Sequence, residues 1–120
     1  MRLAVCGNSQ GETEQLCRWL EQVADLYSVQ ARCTPWRDFY PVVEAPAGTW
    51  QAAFIGLGGS KGFLAARTLR QVDKRCAIVL IDDTPQYAVQ GVRLHFTDFI
   101  VRPVEFRHIV RSMHLILGRM

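Results

Sequence analysis

The chain has 120 residues, of which 49% are hydrophobic and 21% charged, and its formal net charge is +3 at pH 7. This length suits one domain with one hydrophobic core, over residues 1–120, and this composition excludes an intrinsically disordered chain. The basic residues are scattered and form no dense stripe, so we expect no direct nucleic-acid contact by this domain.

The start of the chain predicts a strand followed by a helix. The segment Arg2-Leu3-Ala4-Val5-Cys6 is too short for the apolar core of a signal peptide, and no apolar run approaches the ~20 residues of a membrane span. We therefore expect a cytoplasmic protein without membrane contact. Apolar positions at helical spacing predict a helix over 11–26, with Ser9 as its cap and Glu12 in the position of a capping box.

The next elements alternate in the same way. Residues 28–33 predict a second strand, and Thr34-Pro35 predicts the start of a short helix over 34–43. An apolar third strand over 52–57 is followed by a glycine-rich loop and a helix. The last predicted segments are a strand over 77–81, a helix over 86–93, a strand over 98–101 and a helix over 106–117.

Repeated strand–helix alternation predicts an α/β domain with a parallel sheet covered by helices on both faces. Binding or catalytic groups in such a sheet lie at the carboxyl ends of the strands. In this chain we expect four loops to converge there, at residues 6–9, 56–60, 82–84 and 102–103.

The end of the chain carries a family resemblance. The segment Asp98-Phe99-Ile100-Val101-Arg102-Pro103-Val104 resembles the D-Y-L/I/V-x-K-P-V/F strand of response-regulator receiver domains. Residues 86–104, together with the opening strand, resemble the LytTR-regulator branch of that family. The resemblance implies a flavodoxin-like, doubly wound (βα)5 domain with strand order 2-1-3-4-5, and a cis Arg102–Pro103 bond.

The phosphorylation site that the resemblance implies has lost its chemistry. The positions of the acidic pair, the phosphoacceptor, the switch hydroxyl and the lysine are occupied by Gly7, Asn8, Gly56, Asp82 and Arg102. Magnesium requires anionic oxygen ligands, which glycine and asparagine do not supply, and Gly56 has no side chain to phosphorylate. We expect a degenerate receiver without metal, cofactor, catalytic residues or enzyme activity.

Two hypotheses concern the remaining polar residues of this edge. In the first, the Asp82 carboxylate pairs with the Arg102 guanidinium and replaces a phosphate-dependent contact by a permanent one. In the alternative, Asp82 and Asp83 cap the short helix that begins near Thr84-Pro85.

The glycine-rich loop also has two interpretations. Backbone N–H groups at a helix start bind anions, so Gly58, Gly59, Ser60 and Lys61 could form an anion site, with Asn8 and Arg102 at its rim. This would make the domain a small-molecule or anion sensor. The spacing fits no phosphate-binding motif, and glycines are also the usual residues of a tight turn.

The cysteines and histidines show no site pattern. Cys6, Cys17, Cys33 and Cys76 lack metal-ligand spacing, and we interpret them as small buried apolar residues. The three histidines have no carboxylate or cysteine arranged around them in sequence.

The last part of the chain predicts an interaction surface. In receivers, the face built from the fourth helix, the fifth strand and the fifth helix mediates dimerisation. The residues expected on this candidate dimer face are Tyr87, Val89, Gln90, Arg93, Phe99, Val101, Glu105, Arg107, His108 and Arg111. Aromatic residues and arginines anchor interfaces. In the alternative, Phe99 and Val101 belong to the core of the sheet and the arginines are solvated. The resemblance implies a homodimer, a regulatory protein partner or a fused DNA-binding domain, with this chain as the amino-terminal part of a longer transcription regulator.

Overall fold

The computed structural model describes residues 1–118 and contains five strands that alternate with five helices. The strands are β1 Arg2–Gly7, β2 Arg32–Trp36, β3 Ala52–Gly56, β4 Ala77–Asp82 and β5 Asp98–Val101. The helices are α1 Gln10–Leu26, α2 Tyr40–Glu44, α3 Gly59–Val72, α4 Ala88–Arg93 and α5 Phe106–Leu117. All strand pairs are parallel and the order is β2-β1-β3-β4-β5, which confirms the predicted flavodoxin-like fold. Arg119 and Met120, the end of the predicted domain, lie outside the described residues.

The sheet separates two apolar clusters. Because strand side chains alternate between faces, Leu3 and Val5 pack on one face, and Ala4 and Cys6 pack on the other. Helices α1 and α5 cover the first face, and α2 and α3 cover the second. The central strands β1, β3 and β4 are buried on both sides, apart from the first residue of β1. Among residues 1–118, no helix has the length and apolar character needed to cross a membrane.

The second strand and second helix differ from the prediction. Strand β2 spans Arg32–Trp36 and therefore includes Thr34 and Pro35, which were expected to start a helix. Because β2 is an edge strand, a residue without an N–H donor is tolerated there. Helix α2 begins only at Tyr40, with Pro41 in its first turn.

The last elements agree with the prediction more closely. Strand β5 and helix α5 have the predicted bounds, whereas α4 begins at Ala88, two residues later than expected. The bond between Arg102 and Pro103 is cis, as the resemblance implied.

Candidate functional site

The carboxyl edge of the sheet brings Gly7, Gly56, Asp82 and Arg102 together. Gly7 at the end of β1 pairs in register with Gly56 at the end of β3. Asp82 ends β4, and its carbonyl oxygen accepts the backbone N–H of Arg102 at 2.8 Å. The loops that follow β1, β3, β4 and β5 therefore form one site, as the strand pattern predicted.

Arg102 is the centre of this site. Its Nε and Nη2 donate to the two carboxylate oxygens of Glu12, each at 2.8 Å, which is a bidentate pair. Nη2 also donates to the carbonyl oxygen of Gly56 at 2.6 Å, and Nη1 lies 3.3 Å from Oδ1 of Asp83. The hydrogen bond to Glu12 raises the pKa of Arg102 above its ordinary value, and the nearby charges of Glu12 and Asp83 act in the same direction.

The space beside Gly56 is occupied by the ion pair of Arg102 and Glu12. A Cβ added at Gly56 would lie 3.1 Å from Arg102 Nη2 and 3.3 Å from Glu12 Oε1. At Gly7, an added Cβ would lie 2.8 Å from the methyl group of the buried Thr13. Side chains at either position would therefore require their neighbours to move, so both glycines match the packing around them.

Asp82 does not pair with Arg102, so the predicted ion pair between them is wrong. Its Oδ1 accepts the backbone N–H of Gly59 at 3.1 Å and that of Asp83 at 2.7 Å. The side chain is buried, and Oδ2 has no hydrogen-bond partner among the described residues. The capping alternative is also wrong, because α4 begins at Ala88 and has no side-chain cap.

The glycine-rich loop is shaped by positive backbone angles. Gly58 has a φ of 82° and Gly59 a φ of 58°, values that side-chain-bearing residues rarely adopt. Gly59 begins α3, and its N–H is already bonded to the Asp82 carboxylate. An external anion would compete with the Asp82 carboxylate for this N–H. The next two residues, Ser60 and Lys61, are exposed.

Asn8 fastens the neighbouring loop. Its side-chain Nδ2 donates to the carbonyl oxygen of Leu57 at 3.1 Å, and its backbone carbonyl oxygen accepts from Arg37 Nη2 at 3.2 Å. The asparagine thus links the loop after β1 to the loop after β3.

Sequence reasoning missed Glu12 as a site residue. Its backbone N–H is bonded to Ser9 Oγ at 3.2 Å, as the predicted cap requires. Its carboxylate, however, is bonded to Arg102, a residue 90 positions away in the chain. The signal in the sequence was an acidic residue in the first turn after β1, close to the site's edge.

The candidate dimer face is only partly free. The exposed residues are Val89, Gln90, Arg93, Val101, Glu105, Arg107 and Arg111. Tyr87 instead stacks on Phe63 with ring centroids 4.6 Å apart, and Phe99 packs against the apolar cluster under α3. His108 accepts the backbone N–H of Glu105 through Nδ1 at 2.9 Å.

The structure adds one apolar residue, Val92, to this face. The exposed valines of α4 are Val89 at 65% and Val92 at 74% exposure, and Val101 of β5 is also exposed. Arg111 is held nearby, where its Nε donates to Asp98 Oδ2 at 3.0 Å.

The cysteines divide into two pairs. Cys6 and Cys76 are buried, as expected, but Cys17 and Cys33 are partly exposed, which corrects the prediction for those two. Within residues 1–118, no cluster of three or more His, Cys, Asp and Glu side chains could hold a metal ion.

The fold is similar to that of solved response-regulator receiver domains. The receiver domain of HemR from Leptospira biflexa superposes with a TM-score of 0.79 at 16% identity, over 98% of this chain and 94% of that chain. The response regulatory domain of protein mrkE from Klebsiella pneumoniae gives a TM-score of 0.76 at 19% identity, over 99% and 97% of the two chains.

A longer regulator shows the same likeness over part of its length. This chain spans 52% of response regulator DrrB from Thermotoga maritima, with a TM-score of 0.77, 11% identity and 98% of this chain covered. No family model and no curated protein matches the sequence. At these identities the likeness establishes the fold.

Proposed function

We propose that this chain is a receiver-like regulatory domain that acts without aspartyl phosphorylation, through protein–protein contacts. In this proposal the domain is part of a cytoplasmic transcription regulator of the LytTR-regulator branch, and it forms a homodimer through the α4–β5–α5 face. The observation that carries the proposal is the hydrogen bonding of Arg102 to Glu12 and to the Gly56 carbonyl oxygen. These groups occupy the space in which a receiver has its phosphoacceptor.

The charged side chains of the site are bonded to groups of the same chain. Arg102 provides a fixed positive charge beside β3, and Asp82 provides a fixed negative charge to the N–H of Gly59. Both carboxylate oxygens of Glu12 are bonded to Arg102, so a divalent cation would compete with the arginine for them. A contact network of this kind favours one conformation, because no added ligand is needed to complete it.

The proposed dimer contact rests on the exposed valines and the charges around them. Val89, Val92 and Val101 offer apolar area, while Arg93 and Glu105 are exposed charges of opposite sign. A two-fold interface places a patch against its own copy, so one patch that carries both signs can be self-complementary.

The first experiment is sedimentation equilibrium with intact-mass measurement, with and without acetyl phosphate and magnesium. We expect a dimer in both conditions and no added phosphoryl mass. A phosphoryl mass increase accompanied by a change in assembly would overturn the proposal and direct attention to Asp82 and Asp83.

A second experiment distinguishes the anion-sensing alternative from the interaction module. Inorganic phosphate alone, without magnesium, would compete with the Asp82 carboxylate for the backbone N–H of Gly59 at the loop. We expect phosphate to change neither the assembly nor the thermal midpoint. A rise of the midpoint with phosphate concentration would favour the sensor over the interaction module.

A further inference from the structure

A cleft of about 400 Å³ lies at the amino edge of the sheet, opposite to the carboxyl edge that holds Arg102. At this edge the N–H of Ala77 donates to the carbonyl oxygen of Gln51 at 3.0 Å, and the N–H of Gln51 donates to that of Arg2 at 2.9 Å. The lining includes Trp50, Gln51, Lys74, Arg75, Ala77 and Ile116. A cleft of this size, with apolar side chains beside a few polar groups, is typical of small-molecule sites.

The turn after α3, residues 73–76, forms one wall of the cleft and is fixed by two buried charged side chains. Asp73 Oδ1 accepts the N–H groups of Arg75 at 2.9 Å and Cys76 at 3.0 Å, and Oδ2 accepts that of Gly48 at 3.0 Å. Arg70 Nη1 donates to the carbonyl oxygens of Asp73 at 3.2 Å and Cys76 at 2.8 Å. Asp73 and Arg70 are 5% and 7% exposed, so the backbone of the turn is held from the protein interior.

The two residues at the tip of this turn are cations without a counter-ion. Lys74 and Arg75 are exposed, and within residues 1–118 neither side chain has a hydrogen bond or an ion pair. The Asp73 carboxylate, which also lines the cleft, already accepts three backbone N–H groups. An anion would therefore meet two unpaired cations on a backbone that needs no further ordering, which lowers the entropic cost of binding.

The opposite wall adds a donor and further positive charge. The side-chain oxygen of Gln51 accepts the backbone N–H of Arg2, whereas its Nε2 has no partner in the described part of the chain. The Arg2 guanidinium lies over the ring of Trp50, with Cζ 5.2 Å from the ring centroid. The polar groups that the cleft leaves unpaired are thus hydrogen-bond donors, which favours an anionic ligand.

We propose that this cleft binds a small organic carboxylate that has an apolar portion. Its carboxylate accepts hydrogen bonds from Arg75, Lys74 and Gln51, and its apolar portion lies against Trp50 and Ile116.

A carboxylate fits these groups better than a phosphate. A guanidinium binds a carboxylate through two parallel hydrogen bonds. Phosphate sites commonly use free backbone N–H groups, and those of Arg75 and Cys76 are already bonded to Asp73. The inference does not rest on the proposed function, since the cleft lies at the other edge of the sheet.

The test is a titration of the isotope-labelled chain with phenylacetate, followed by two-dimensional amide NMR spectra. We expect saturable shifts of the backbone amides of Gln51, Arg75 and Ala77, which lie around the cleft. Phenylacetamide has the same ring but no charge, so its dissociation constant should be at least about tenfold higher.

Three glutamine variants complete the design. Arg75→Gln should raise the dissociation constant of phenylacetate about tenfold and Lys74→Gln about threefold, because each removes a charged donor. Both side chains are exposed, so the fold should be kept, as circular dichroism will show. Arg67→Gln is the matched control: it removes the same charge from an exposed position of α3 outside the cleft lining and should change the constant by less than about twofold.

Four outcomes would overturn the proposal. They are shifts that do not saturate, equal binding of phenylacetamide, equal weakening by Arg67→Gln and Arg75→Gln, and saturable shifts at residues 58–61 in place of the cleft.

Discussion

The lack of a side chain at Gly56 and the position of Arg102 depend on each other. The guanidinium reaches the β3 backbone only because nothing projects from residue 56, and the added Cβ would lie 3.1 Å from it. The hydrogen-bonding partners of Arg102 come from α1, from β3 and from the loop after β4. One side chain thus ties together elements that are distant in sequence.

Replacing Arg102 by lysine should destabilise the domain although the charge is kept. Lysine cannot make the bidentate contact with Glu12, so the variant has at most one of the two hydrogen bonds that Arg102 makes with this carboxylate. We expect a loss of about 1–2 kcal/mol in the free energy of unfolding, measured by urea denaturation.

The matched control for that change is Arg107→Lys. Arg107 also contacts a glutamate, Glu105, at 2.6 Å, but both side chains are more than half exposed. An exposed pair contributes little to stability, so the control should change the free energy of unfolding by less than about 0.5 kcal/mol. Equal losses in the two variants would show that the burial of the Arg102 pair has no energetic consequence.

Asp73 makes the stability of the domain depend on acid pH. Burial alone raises its pKa, but the backbone N–H groups of Gly48, Arg75 and Cys76 outweigh burial and hold the pKa below the ordinary value. A carboxyl with a lowered folded-state pKa stabilises the fold above its unfolded pKa and loses that contribution as the pH falls through the folded value.

We therefore expect Asp73→Asn to flatten the stability profile in acid. As the pH falls below about 5, through the ordinary aspartate pKa and then the lower folded-state pKa of Asp73, wild-type stability should fall more steeply than that of the variant. Urea midpoints at several pH values measure this difference, with the exposed Asp25→Asn as the control. Parallel profiles for wild type and Asp73→Asn would exclude this role of the carboxylate.

At the scale of elements, helix α5 is attached to the sheet by one apolar face. Met113 is fully buried against the sheet, whereas Leu115, two residues further along the same helix, is 41% exposed. Met113→Ala should cost about 2–4 kcal/mol because it removes buried contacts and leaves a cavity.

Leu115→Ala is the control on the same helix. It should change the free energy of unfolding by less than about 1 kcal/mol in urea denaturation, since much of the side chain already contacts water. A large loss for Leu115→Ala together with a small loss for Met113→Ala would reverse the assigned orientation of α5.

The sequence predicted the bounds of the elements that depend on local signals. It did not predict the bounds of an element whose conformation depends on its place in the tertiary structure. Helix α5 and strand β5 have strong apolar patterns and were predicted with the correct bounds. Strand β2 was displaced because Thr34-Pro35 is locally a helix start, and only the strand's place at the sheet edge makes a proline acceptable.

The same distinction applies to the site. The strand pattern predicted that Gly7, Gly56 and Asp82 lie at one edge of the sheet, because each of them ends a strand. The partner of Arg102 could not, because Glu12 is 90 residues away and its sequence position already had a local explanation as a capping residue. Asp82 was assigned to the arginine by proximity of strand ends, whereas its carboxylate satisfies the N–H of Gly59.

At the scale of the whole molecule, self-association should depend on the exposed valines of α4. Val92 is 74% exposed and has no core role, so Val92→Glu changes the surface without disturbing the fold. In the proposed two-fold dimer, the introduced charge would be buried against an apolar patch or lie near its own copy. We expect the dimer dissociation constant in sedimentation equilibrium to rise at least about tenfold.

Leu26→Glu is the control for this last experiment, because Leu26 is 76% exposed like Val92 but belongs to the end of α1 and to none of α4, β5 and α5. If the proposed face forms the dimer, Leu26→Glu leaves the dissociation constant unchanged and only Val92→Glu raises it. Loss of the dimer with Leu26→Glu alone would place the interface on the α1 side. Equal effects of both would show that association is not confined to the α4–β5–α5 face.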